Sequence, residues 1–542
     1  MNKRLFVLVG CLCFSLSARA ELSLKEVRTA SNNVLVACYK SDIIKADEVD
    51  TADTSLWKLN GQPVAAIHKF VTEANACDHH VYLQVPTLVN GTRYKLQTPH
   101  GQTTFVFDDT RTFCESIKTN QNAYSALSKV RYANFAIWLG DGGARQIDGD
   151  LPSYTVFETS TGEQVAEGTL KEIGHDESSG DFVYRIDLSA IPEGGPYKIS
   201  VKGYGCSYPF GVGGDFSRRL AHVSFRSLYH QRCGCPIKEP YAWDIRMKPC
   251  HTTVYDTNAP IGEARLRVQG DESTFTAHGG YHDAGDADRR TYHMDVTCTL
   301  LTTYEAFPDL FTDNQYNIPD KFDKDFNIVG KGNKIPEIID EAEWGAMFWE
   351  YMQKPSGDIH WGTETYRYSP FTTYDRETKR FGTEVLDKRS AGFAAGMFMH
   401  MARLIKPYKP DRSEQLRKRA DLAFKAAGDR IDTTHHLYYA VQKYLLTGDE
   451  TAHQTVKDLA ENAARYVDTF NGAPESFAGS GRFRRRAGWL ASFFYSYIIE
   501  KDRPTDPAVV QQFKESLKAA ADKSIEYLQA NAYPVGAPLN LR

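Results

Sequence analysis

The sequence predicts a multidomain chain: two N-terminal β-sandwich modules followed by an all-α toroid. Three observations carry this. Up to about residue 214 apolar residues alternate with a period near two and are broken by turn signals, Asn60-Gly61 and Asn90-Gly91 among them. From Phe216 onward the period changes to about 3.6 and helical stretches follow one another through short connections. With 542 residues the chain is also too long for one ordinary core.

Residues 1–20 read as an export signal: Lys3-Arg4 is the charged start, Leu5 to Leu16 the apolar stretch, and Ala18-Arg19-Ala20 the small-x-small cleavage site. The mature chain is then expected to be secreted or periplasmic. A competing reading takes Leu8-Val9-Gly10-Cys11 as a lipoprotein box, with an anchor at Cys11. The first β module is expected over 21–109, with strands near 34–38 and 80–85, and no role can be read for it. The second is expected over 116–214, with strands near 154–157, 182–186 and 197–201. Helices are expected at 216–229, 292–306, 336–353, 388–405, 413–427, 435–446, 450–470, 486–500 and 507–530. In the third of these Ile338, Ile339, Ala342 and Phe348 form an inward stripe, and Glu337, Glu341 and Glu343 lie toward the start, where the helix dipole favours acids. Long helices on short links pack antiparallel to their neighbours, and a toroid is the natural closure.

A net charge of -5 with interspersed signs gives no footing for nucleic acid or a polybasic membrane contact. Beyond the leader, no stretch approaches the roughly 20 apolar residues of a membrane span. Of ten cysteines, Cys11 and Cys13 fall in the leader. In an oxidising compartment the remainder must be bridged, metal-bound or buried as thiols. Cys38 could bridge to Cys77, and Cys114 to Cys206.

The most informative segment is Gly279-Gly280-Tyr281-His282-Asp283-Ala284-Gly285-Asp286, which sets two carboxylates three residues apart on a glycine-hinged loop before a helix. Such a pair can hold and deprotonate a water. Inverting glycoside hydrolysis needs a base of this kind facing an acid roughly 6.5–9.5 Å away. Asp283, Asp286 and Asp288 can equally be read as a calcium loop or as acids at a helix start.

Several separated motifs resemble glycoside hydrolase family 9, the cellulase family whose members often carry an immunoglobulin-like domain ahead of an (α/α)6 barrel. Ile117 to Tyr124 and Ser207-Tyr208-Pro209-Phe210-Gly211-Val212 are similar to the first and last strands of that domain. Gln231-Arg232-Cys233-Gly234, Pro249-Cys250-His251-Thr252, the Asp-Ala-Gly-Asp loop and Ile335 to Gly345 are similar, in order and spacing, to the start of the barrel. The resemblance implies an immunoglobulin-like second module, an (α/α)6-type toroid over 216–542, Asp286 as general base and Asp283 as its partner in holding the water. The family's acid lies in an Asn-Glu motif, and no Asn-Glu dipeptide occurs here. Tyr533 to Leu539 resembles the family's link before its last helices. The toroid is therefore expected to be incomplete, with about nine of twelve helices.

Cys233, Cys250, His251 and His282 make two thiolates and two imidazoles, a set suited to tetrahedral structural zinc, as some members of the family carry. A Cys233–Cys250 disulfide, or Cys235 in place of Cys233, are the competing readings. The resemblance also allows calcium, without a ligand set. Trp361 and Tyr366, with Tyr368 and Phe371, lie in a loop-like stretch where aromatic faces could stack on sugar rings. The expected function is inverting hydrolysis of a β-linked glucan. Exo-acting β-glucosaminidase activity on chitosan oligosaccharides is one alternative, and a catalytically inactive carbohydrate-binding protein is another.

Overall fold

The computed structural model describes residues 22–41, 49, 51–72, 77–260, 268, 270–283, 289–365, 376–470, 495–529 and 531–534. The expected leader, 1–20, lies outside them. The chain divides into two compact units, Met1–Leu220 with Ala530–Val535, and Ala221–Gln529 with Gly536–Arg542. No helix among the described residues is long and apolar enough to cross a membrane.

The first unit is built of antiparallel sheets. In one, the strands run in the order Ser23–Ser31, Val34–Ser41, Cys77–Gln84, Ala66–Thr72. A second sheet, Gln62–Pro63, Lys58–Leu59, Arg93–Thr98 and Gly101–Val106, closes over it, and one of its two-residue hairpins turns at Asn60-Gly61. Both turn residues have positive φ (50° and 82°), as a two-residue hairpin of this hand requires. Leu35, Ala37, Tyr39, Trp57, Leu83 and Phe107 fill the space between these sheets.

Residues 117–212 form the second sandwich. One sheet orders Lys171–His175, Phe182–Asp187, Tyr132–Phe135 and Ile117–Lys118. The other orders Gln164–Thr169, Ser153–Glu158, Gly194–Val201 and Gly205–Cys206, with Phe210–Val212 also paired to Gly194–Val201. Its core takes in Val34, Val36, Cys38 and Tyr82 from the preceding module, so Val34 to Tyr39 is buried on both faces. Backbone bonds join the two modules: Thr29 N–H donates to Phe113 O (3.0 Å) and Glu115 N–H to Thr29 O (3.0 Å).

Neither expected disulfide is present; Cys38, Cys114 and Cys206 are buried thiols. The register explains both. Cys38 lies opposite His80, three positions from the Ser41–Cys77 pair, which is about 10 Å along a strand. Cys206 lies opposite Phe113, so the neighbouring Cys114 turns its side chain to the other face.

The second unit is mainly helical. Its helices are α1 (Gly214–Gln231, beginning in the first unit), α2 (Met294–Ala306), α3 (Glu337–Tyr351), α4 (Lys388–Ile405), α5 (Pro410–Ala427), α6 (Thr433–Thr447), α7 (Glu450–Phe470) and α8 (Pro507–Gln529). Helix α4 is buried on nearly every side, while α5 buries a stripe of Ser413, Leu416, Ala420, Ala423 and Ala427. That contrast is what an inner and an outer helical layer produce. Asp387 caps α4 by accepting from Ser390 N–H (2.8 Å), and Asp432 caps α6 by accepting from His435 N–H (3.0 Å). Of the expected helix 486–500, residues 486–494 lie outside the described set.

Small strands at one end of the helices form a five-stranded sheet ordered Thr274–Thr276, Thr253–Ala259, Phe381–Glu384, Gly362–Glu364 and Arg289–Arg290. This sheet and α3 together position the site.

Candidate active site

The loop at 278–283 lies flat on α3 because Gly279 and Gly280 leave no side chain in the way. Both have positive φ (84° and 73°), and a Cβ on Gly279 would come within 2.8 Å of the Trp344 carbonyl oxygen. Gly280 N–H donates to Trp344 O (2.9 Å), and Trp344 Nε1–H returns a bond to Gly280 O (3.2 Å). Tyr281 OH donates to Glu341 Oε1 (3.0 Å). Glu341 in turn holds the buried Arg232 guanidinium through Nε (3.1 Å) and Nη2 (2.9 Å). The pair is fully enclosed, and two parallel hydrogen bonds fix its orientation as well as its charge. His282 N–H donates to Gln231 O (2.9 Å) and Cys233 N–H to Gly280 O (2.9 Å), so the end of α1 and this loop are zipped together.

That zipper brings Cys233, Cys250, His251 and His282 into one cluster, with their ligand atoms all within 4.8 Å of one another. Cys250 Sγ lies 3.4 Å from His282 Nε2, and Cys233 Sγ 3.9 Å from His251 Nδ1. Tetrahedral zinc with ordinary bond lengths separates its ligand atoms by roughly 3.3–3.8 Å, so this donor set fits such an ion with small adjustment. Burial works against a charge on Cys250. Hydrogen bonds from Cys233, His251 and His282 nevertheless hold its thiol well below the ordinary value, while burial pushes Cys233 up. Arg246 Nη1 lies 2.7 Å from Cys250 Sγ, a cation placed where it favours thiolate. Cys235 packs in a separate apolar cluster with Tyr229 and Ile237, and Cys233 and Cys250 are both free thiols, so the two competing readings of this set fall. Among the described residues this is the one group of three or more such side chains able to hold a metal.

Asp283 follows His282 directly. Tyr292 OH donates to its Oδ2, and His293 Nε2 lies 3.7 Å from its Oδ1. The His293 hydrogen bond, helped by Tyr292 and opposed by partial burial, brings the carboxyl down to about 2. Asp283 is therefore a carboxylate with an exposed portion and fixed orientation. Asp286 and Asp288 lie outside the described residues.

On the far side of 284–288 the chain is again clamped. Arg289 pairs with Thr363 and Arg290 with Gly362 in the five-stranded sheet. The Arg290 guanidinium binds both Glu364 and Glu384 (2.7 Å to the latter), two buried carboxylates. Thr291 N–H donates to Trp361 O (3.0 Å), placing Trp361, half-buried, next to the start of the 3-10 turn Thr291–His293. Tyr366, Tyr368 and Phe371 lie outside the described residues. Tyr292 and His293 did not stand out in the sequence because they read as the first turn of α2. Their polarity at the start of an otherwise apolar helix was the available signal.

Comparison with known proteins places these features. Residues 218–529 match the model of glycosyl hydrolase family 9, and residues 113–205 that of the cellulase N-terminal ig-like domain. Endoglucanase D of Acetivibrio thermocellus is 24% identical over 408 residues, covering 70% of this chain and 59% of that protein. The chain spans about half the length of the curated relatives it matches. Among solved structures, a metagenome-derived glycoside hydrolase family 9 endoglucanase aligns with a TM-score of 0.62 at 24% identity, over 78% of this chain and 74% of the other. A Zn-binding triple mutant of the family 9 endoglucanase J30 aligns with a TM-score of 0.57 at 19% identity, over 75% and 73%. At these identities the structural likeness shows a shared fold.

Proposed function

Because the chain belongs to glycosyl hydrolase family 9, with an immunoglobulin-like domain ahead of an (α/α)6 catalytic domain, we propose that it is an exported hydrolase cleaving β-linked glucans with inversion. The observation that carries the reading is the Asp283 carboxylate, held ionised by His293 and Tyr292 on a loop clamped at both ends. In this reading Asp286 removes a proton from the attacking water and Asp283 accepts that water's second hydrogen bond, which aims its lone pair at the anomeric carbon. Bond cleavage also needs a proton for the leaving oxygen. The sequence holds no Asn-Glu dipeptide, and the proposal assigns the base side alone.

Zinc is the proposed metal at Cys233, Cys250, His251 and His282; with four protein ligands it would supply a structural staple and no open coordination position. Through His282 that staple would hold the backbone entering Asp283. Trp361 and Tyr366 are proposed as sugar contacts, and residues 1–20 as the export signal.

The test is hydrolysis of cello-oligosaccharides followed by proton NMR. The expected first product is the α-anomer, and Asp286→Ala lowers kcat by at least about a thousandfold, in the range set by losing a general base and the water it aims. Initial β-anomer, or an Asp286→Ala variant as fast as the parent, overturns the proposal.

A further inference from the structure

A cleft lies within the first unit, and none of its lining residues was assigned to the candidate active site. It has a volume of about 240 Å³ and is lined by Glu115, Ser116, Lys118, Ala136, Trp138 and Asp181. We infer that this cleft is a second, non-catalytic carbohydrate site that takes one pyranose ring of a glucan.

Size comes first. Pockets for drug-sized ligands run roughly 300–1,000 Å³, so this cleft suits a single small ring. The wall chemistry then selects the ligand. A pyranose presents an apolar face of C–H groups and a rim of vicinal hydroxyls, and it is recognised by an aromatic ring beside charged hydrogen-bonding groups. Trp138 supplies the ring. It is held edge-to-face by Phe70 (centroids 5.0 Å apart, 78° between planes) and Tyr82 (6.1 Å, 84°), both from the first β module. A ring fixed in this way loses little freedom when a ligand stacks on it.

The charges argue for a neutral polyhydroxyl ligand. Glu115 and Asp181 would repel an anion, and the Lys118 ammonium would repel a cation. A sugar can donate to the two carboxylates and accept from the ammonium at once. Each group is also held in place: the Lys118 Nζ donates to Ala136 O (2.9 Å), and Asp181 Oδ2 accepts from Tyr533 OH (2.7 Å). Burial raises the Glu115 carboxyl, and a hydrogen bond with Tyr82 opposes the rise. Such a carboxylate gains more from a sugar hydroxyl than a solvated one does.

The same arrangement gives the first β module a use. Its Phe70 and Tyr82 brace the aromatic wall, whereas the lining residues belong to the immunoglobulin-like domain. The choice of a glucan as ligand rests on the proposed function; the geometry of the cleft does not.

The experiment is calorimetric titration of the full chain, carrying Asp286→Ala, with cellotetraose and with glucose. Trp138→Ala and Glu115→Gln, each added separately, are expected to weaken one class of site at least tenfold. Trp138→Ala in the otherwise unaltered chain should hydrolyse short soluble substrates at the parent rate. Because Trp138 is part of a packed cluster, Glu115→Gln provides the variant whose melting curve should match the parent. Tighter binding of cellotetraose than glucose identifies a chain end as the ligand; equal binding identifies the free sugar. Isotherms of both variants that superimpose on the parent, or no saccharide binding sensitive to either change, overturn the inference. Unchanged hydrolysis by Asp286→Ala would instead remove the base assignment and leave a Trp138-dependent site standing.

Discussion

Glu305 shows how a single residue keeps a charge inside the helical unit. It sits at the end of α2, almost wholly enclosed, bound by the Arg403 guanidinium and by His400 Nε2 (2.8 Å), and it accepts from Ser496 Oγ (2.6 Å). Burial alone would raise its carboxyl, but the Arg403 charge and these hydrogen bonds hold it well below the usual carboxylate range. A folded-state value below the unfolded one means stability that is fully present above the unfolded value of about 4.3 and lost as the pH falls beneath it. Glu305→Gln is therefore expected to cost about 3 kcal/mol at pH 7, since it leaves the half-buried Arg403 without its counter-charge. The difference from the parent should shrink below about pH 4. Urea unfolding at pH 7 and pH 3.5 measures both. Legibility at this scale was uneven. Asp283 and the four metal-set residues could be picked out because they lie in short motifs with unusual residue types. Tyr292, His293 and Glu305 could not, and Arg232 and Glu341, though they lie in recognisable motifs, could not be read as a pair, since each becomes informative only when a partner roughly ten to a hundred positions away is folded against it.

The elements that build the site are a helix end, two short loops and the N-terminal half of α3, and none would hold its shape alone. Segment 231–252 and segment 277–283 meet through three backbone bonds and the Cys/His cluster. Metal analysis of the purified chain is expected to give one zinc per molecule, and Cys250→Ser to give none. With the metal absent, two buried thiols beside Arg246 lose their common partner. A chelator-treated sample should melt at least about 5 °C lower, because apo and holo forms differ by the free energy of metal binding. Chelation that removes zinc without moving the melting temperature would contradict the staple role. The helices themselves were legible in sequence, since 3.6-residue periodicity reports burial directly. The differences lie at their ends. Helix α5 begins at Pro410, whose fixed φ suits the first turn, before the apolar stripe starts. Before α2 the chain makes a separate 3-10 turn, and this displacement carries Tyr292 and His293 to Asp283.

At the scale of the first unit, two β modules that read as separate sandwiches share a strand. In Val34–Ser41, Leu35, Ala37 and Tyr39 enter one core while Val34, Val36 and Cys38 enter the other. A strand buried on both faces reads as a continuous apolar run, and Val34 to Tyr39 is such a run, apolar in every position. The signal was visible, but a run of six residues does not say which neighbour covers each face. The shared strand has a consequence for cooperativity. Val36 is fully buried on the side of the immunoglobulin-like core although it belongs to the preceding module. Removing its two methyl groups should cost about 2 kcal/mol through lost transfer energy and the cavity left behind. If the cores act as one, Val36→Ala lowers the melting of both modules together, and calorimetry of residues 22–220 shows one transition displaced as a whole. If the modules were independent bodies on a linker, the loss would appear in one transition and leave a second where it was. The backbone bonds between Thr29, Phe113 and Glu115 favour the first outcome, because a cavity at Val36 and the inter-module ladder lie on adjacent strands of the same sheet.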